Sequence, residues 1–135
     1  MDKKPPIIVT DRDLQRLERL LERLEDDEPG VAALQSELDR ADVVTPDKIP
    51  AGIVTMNSRV HCREESSGKD YRLTLVYPHQ VGAEGLVSIL APVGSALLGL
   101  SVGQEIDWPT STGKVLKLIL LDVEYQPEEA EDWDL

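Results

Sequence analysis

Leucines 14, 17, 21 and 24 follow one another at spacings of three, four and three residues, and after Pro29-Gly30 the apolar residues Val31, Leu34, Leu38 and Ala41 repeat that spacing. Side chains three and four apart share one helix face, so each run predicts an amphipathic helix with one apolar stripe. Thr10 is placed to cap the first helix, with Asp13 as the acidic partner of a capping box and Asp11 in the positively polarised first turn. Two equal stripes separated by EDDEPG predict an antiparallel helical hairpin; the alternative is that each helix packs separately on a globular body. A first helix over 11–26 would be roughly 24 Å long at ~1.5 Å per residue, a stubby arm whose narrow stripe must lean on the rest of the chain.

Ahead of the helices, Ile7, Ile8 and Val9 follow a Pro pair and are expected to be extended. Behind them, 41–52 carries Pro46 and Pro50 with no regular period and reads as a linker. The remainder favours strands. Short strands are expected over 53–56, 59–63, 71–76, 86–90, 104–108 and 115–124, and a short helix over 92–98 opens on Pro92. Tyr71, Leu73 and Leu75 alternate with Arg72, Thr74 and Val76, as one buried and one wetter sheet face require. The expected division is a helical hairpin over 1–45, a strand-rich domain over 46–126 and an acidic, frayed tail over 127–135.

Charge narrows the choice of partners. The chain has 135 residues and a net charge of −12, with 7 basic and 12 acidic side chains in 1–45, and 0 and 5 in 127–135. Phosphate backbones repel such a chain, so direct sequence-specific nucleic-acid binding is not expected, and a basic protein channel is the better partner. No segment has the apolar core of a signal peptide or the ~20 apolar residues of a membrane span, and the single cysteine, Cys62, fits a reducing compartment, so a cytoplasmic protein without membrane contact is expected. A monomer is the default expectation.

Catalytic motifs are missing. No G-x-x-x-x-G-K-[ST] string occurs, and Ser88, Ser95, Ser101, Ser111 and Thr112 lack a nucleophile-elbow context. His61 and Cys62 are adjacent on an expected strand and point to opposite faces, so they do not form a metal site with His79. With no cofactor signature, no enzymatic activity is expected.

From Val87 to Val123 the chain reads VSILAPVGSALLGLSVGQEIDWPTSTGKVLKLILLDV. This stretch resembles the C-terminal domain of the bacterial Gre transcript-cleavage factors, whose pattern is VxxxSPLxxALxGxxVGDxVxVxxPxGxxxxxVxxI; Val87, Pro92, Ala96, Leu97, Gly99, Val102, Gly103, Ile106, Pro109, Gly113 and Val123 keep its order. The whole chain, a leucine-patterned hairpin followed by this module, is similar to the Gre relatives described as regulators of nucleoside diphosphate kinase. The resemblance implies an α+β fold, with an FKBP-like antiparallel sheet and one short helix after the hairpin.

It also implies a function. Gre factors act inside RNA polymerase, and the loop bearing their SPL string touches the rim of the secondary channel. The equivalent residues here are Leu90, Ala91, Pro92 and Val93, with Ala91 in place of the Ser. At the hairpin tip, Glu25, Asp26, Asp27 and Glu28 keep a D-x-x-E spacing, but the family's D-x-x-E-N-A-E-Y becomes E-D-D-E-P-G-V-A. On an arm this short the acids are expected to meet basic groups of the channel, or simply water, without chemistry. Prolyl isomerisation, the other activity of FKBP-like folds, needs an aromatic pocket that a chain with no Phe does not supply. The expected protein is a non-enzymatic transcription regulator that binds RNA polymerase core and competes with Gre factors. The alternative is a regulator of nucleoside diphosphate kinase acting by protein contact.

Overall fold

Thr10 caps the first helix as its position predicts: the Asp13 amide donates to Thr10 Oγ1 at 3.0 Å, and helix α1 covers Asp11–Glu22. The computed structural model describes residues 7–25, 27–109 and 113–130. At 12 residues α1 is about 18 Å long, and it stops before the expected residue 26. The Arg23 amide turns back to the Leu20 and Leu21 carbonyls, and the acidic run beyond it would stack like charges along a helix that Pro29 bars from continuing. Helix α2 covers Val31–Asp39.

The apolar segment before α1 is extended, as expected. Strand β1 (Ile8–Thr10) pairs in parallel with β2 (Asp42–Val44), which occupies the start of the expected linker. Beyond a single 3-10 turn at Pro46–Lys48, a five-stranded sheet is built from β3 (Arg59–Glu64), β4 (Asp70–Val76), β5 (Leu86–Ser88), β6 (Glu105–Pro109) and β7 (Val115–Tyr125), with α3 (Pro92–Leu97) between β5 and β6. The strand order is β5-β4-β3-β7-β6. Two register shifts between β3 and β7 mark bulges, which bend a strand and increase its twist.

Two strand expectations need correction. The β4–β5 pair is parallel, because the chain crosses back through the 77–85 loop before β5 begins, so the sheet is mixed. The segment 53–56 forms only an isolated bridge from Ile53 to Ser101. Its backbone is engaged elsewhere: the Val54 amide donates to the Leu100 carbonyl at 2.9 Å, and the Gly99 amide to the Val54 carbonyl at 2.8 Å. Gly99 has φ +77°, and a Cβ there would lie 2.6 Å from Ile7 Cβ, so glycine lets the N-terminal strand cross the end of α3.

A single buried cluster takes Leu17, Leu34 and Leu38 together with Val54, Met56, Leu75, Ile89, Leu97, Leu118 and Leu120. Apolar side chains from both sides of residue 45 therefore share one core. The two helices touch each other and also lean on the sheet body, so the leucine faces are covered by both. The tail also departs from a wholly frayed one. Just before the tail, Gln126 is buried and its amide nitrogen donates to the Pro50 and Ile53 carbonyls, both at 2.8 Å; within the tail, Glu128 accepts from Thr55 Oγ1 at 2.6 Å. No helix among the described residues is long and apolar enough to cross a membrane.

Candidate functional site

The junction between β5 and α3 is stiffened by its own polar groups. Ser88 Oγ accepts from the Leu90 amide at 3.1 Å, and the Ser88 carbonyl accepts from the Ala91 amide at 3.0 Å. Pro92 then opens α3, with the Ser95 hydroxyl donating to the Pro92 carbonyl at 3.3 Å. Of the four expected docking residues, Pro92 is exposed, Leu90 and Ala91 are half-buried, and Val93 is 4% exposed. The Val93 side chain is therefore core and is withdrawn from the docking surface, because the first turn of a helix lying on the sheet must bury one of its sides.

The turn between α1 and α2 leads to this same junction. Glu25, Asp27 and Glu28 are exposed around a turn closed by the Glu28 amide on the Glu25 carbonyl at 3.0 Å; Asp26 lies outside the described residues. Gly30 follows in the left-handed conformation, φ +89°, and a Cβ on it would collide with the Leu90 carbonyl oxygen. Any other residue would have to shift that backbone, so the start of α2 rests on the loop between β5 and α3. The turn that carries Glu25, Asp27 and Glu28 thus leads into a glycine seated on Leu90, 60 residues further along the sequence.

A second contact holds α1 to the body. The Asp13 carboxylate does not return to the Thr10 amide as in a capping box; it accepts from the Met56 amide at 3.1 Å and is 4% exposed. Burial, with Glu128 nearby, pushes its pKa up to about 6 against the opposing pull of the Met56 hydrogen bond and of Arg16 and Arg12. Sequence spacing identified Asp13 as a cap and gave no sign of this longer reach.

The remaining candidates separate. Cys62 is buried in the core, where desolvation pushes its thiol up to about 11, while His61 lies across the strand, 3.2 Å from Asp70. Asp70 is held down at about 2 by Arg63 first and His61 second. His79 stands apart on an exposed 3-10 turn, stacked on Tyr77. No cluster of three potential metal ligands occurs among the described residues. One feature passed unnoticed in the sequence: Arg16, Arg19 and Arg23 lie three and four residues apart and line one concave pocket.

Comparison with known proteins gives a consistent picture. Residues 49–125 match the family model described as transcription elongation factor GreA/GreB, C-terminal, and residues 5–44 match the one described as Rnk N-terminus. The regulator of nucleoside diphosphate kinase of Escherichia coli is 44% identical, over 96% of this chain and 97% of its own. Transcription elongation factor GreA of Treponema pallidum is 32% identical over 56% of this chain, which spans about half (48%) of that relative. Among solved structures, a prokaryotic transcription elongation factor GreA/GreB from Nitrosomonas europaea is 51% identical, with a TM-score of 0.78, over 90% of this chain and all (100%) of that one.

Proposed function

The chain belongs to the GreA/GreB C-terminal family and carries an Rnk N-terminus, and on that premise we propose that it is a non-enzymatic transcription regulator that docks on RNA polymerase core at the rim of the secondary channel. Docking uses Leu90, Ala91 and exposed Pro92. The acidic run over 25–28, which leads to Gly30, faces basic groups of the channel. The observation that supports this reading is the seat of Gly30 on the Leu90 carbonyl, which brings the segment after the acidic turn against the loop.

The same geometry argues against stimulated RNA cleavage. A carboxylate pair assists in-line attack only when it is placed at the catalytic metal. Here α1 is about 18 Å long, and the turn after it folds back to the body. Occupying the rim with so short an arm makes the protein a competitor of Gre factors. A stalled, backtracked complex with magnesium tests this: addition of the protein should block Gre-stimulated release of short 3′ RNA fragments and release none itself. Acceleration of cleavage by the protein alone would refute it.

A second reading rests on the E. coli relative, which is described as a regulator of nucleoside diphosphate kinase. It has the chain act by direct contact with that kinase. Co-purification from lysate separates the two, since the first reading brings down polymerase core and the second brings down the kinase.

A further inference from the structure

Arg16 and Arg19 on α1 and Arg23 at its cap line a concave pocket of about 420 Å³ together with Asn57, Tyr77 and His79. We propose that this pocket binds a small nucleoside polyphosphate, with its phosphate chain along the arginines and its base against the Tyr77–His79 pair. Its lining shares no residue with Leu90, Ala91 and Pro92 or with the acidic run over 25–28.

Charge supplies the first argument. In a chain of net charge −12, three of 14 basic side chains converge on one concavity that no carboxylate lines. Arg19 and Arg23 are exposed, and no ion pair ties either to a carboxylate among the described residues. Arg16 is already oriented, lying against the Tyr77 phenol and near Asp13. Guanidinium groups present a planar fork of donors that matches phosphate oxygens.

Geometry then limits the ligand. Seven residues of helix separate Arg16 from Arg23, so the row extends ~10 Å along the axis. A chain of two or three phosphates spans such a row more fully than a single phosphate does. At the other side, the Tyr77 and His79 rings are stacked with centroids 6.2 Å apart and planes at 16°, in a chain with no Phe. Aromatic faces of this kind stack on any nucleobase. The volume also suits a ligand of nucleotide size, since such pockets run from ~300 to ~1,000 Å³.

Titration calorimetry of the full chain at low salt tests the proposal with ATP, GTP, ADP, AMP, adenosine and inorganic tripolyphosphate. The nucleoside tri- and diphosphates should bind, AMP at least about tenfold more weakly, and adenosine not at all. The double substitution Arg19→Gln and Arg23→Gln should cost at least about tenfold in affinity while leaving the melting temperature unchanged, because both side chains are exposed. His79→Ala should weaken the nucleotides and leave tripolyphosphate unaffected. Three results would overturn the proposal: no heat up to millimolar nucleotide, equal binding by the arginine variant, or tripolyphosphate binding as tightly as ATP to the parent chain. A single-stranded oligoribonucleotide that binds more tightly than ATP and displaces it would also overturn it, in favour of an RNA contact.

Discussion

Replacing Gly30 with alanine tests whether the helical half of the chain is seated on the loop between β5 and α3. The substitution has two costs. A side chain in the left-handed region costs about 1–2 kcal/mol. The added methyl group meets the Leu90 carbonyl oxygen, which must move together with the half-buried junction around it, and overpacking of that kind costs about 1–3 kcal/mol. The sum, roughly 2–5 kcal/mol, corresponds to a melting point lower by about 7–18 °C for a chain of this size. Gly68 supplies the control. Its φ is +73°, but nothing lies within 4 Å of the position a Cβ would take, so Gly68→Ala should carry the backbone cost alone, about 1–2 kcal/mol. Thermal melts of both variants and the parent, followed by circular dichroism in one buffer, isolate the contact. Equal losses for the two variants would show that α2 does not rest on Leu90, and would remove the argument that the segment after the acidic turn lies against the loop.

Asp13 yields a pH prediction. Its pKa is raised in the fold to about 6, so folding disfavours the charged form, and its unfavourable contribution, on the order of 2–3 kcal/mol at neutral pH, fades as pH falls through 6 towards 4. Relative to Asp13→Asn, the parent should therefore gain stability by about that amount between pH 7 and pH 4; parallel denaturation curves at the two pH values would contradict this. Pro92→Ala, at an exposed position, should leave the melting temperature within about 2 °C and weaken polymerase binding, whereas Val93→Asp should unfold the domain by burying an unpaired charge. Neutralising Glu25, Asp26, Asp27 and Glu28 should flatten the salt dependence of polymerase binding, and an unchanged slope from 50 to 300 mM salt, roughly, would remove the tip from the interface.

What was legible in the sequence was local. Thr10 as cap, Pro92 as helix start and the alternation along β4 as far as Leu75 all follow from signals a few residues apart. What escaped depends on contacts between distant segments. The β1–β2 pair joins three-residue strands more than thirty residues apart, too short to show a period. Asp13 had a plausible local role as a cap, which hid its bond to Met56. The leucine stripes were read correctly as apolar faces, but spacing does not say what covers a face, and here Leu17 and Leu34 find the sheet body. Gly30 was seen only as a break, although the Leu90 carbonyl is what requires it.

The central claim is that the chain, through Leu90, Ala91, Pro92 and the acidic run over 25–28, occupies the Gre site on RNA polymerase. The most direct measurement is fluorescence anisotropy of the labelled full-length chain titrated with polymerase core, then challenged with unlabelled GreA. The account predicts saturable binding that GreA reverses completely, with Pro92→Ala and the neutralised tip each binding more weakly. Binding that persists at saturating GreA, or no binding at micromolar polymerase, would contradict it.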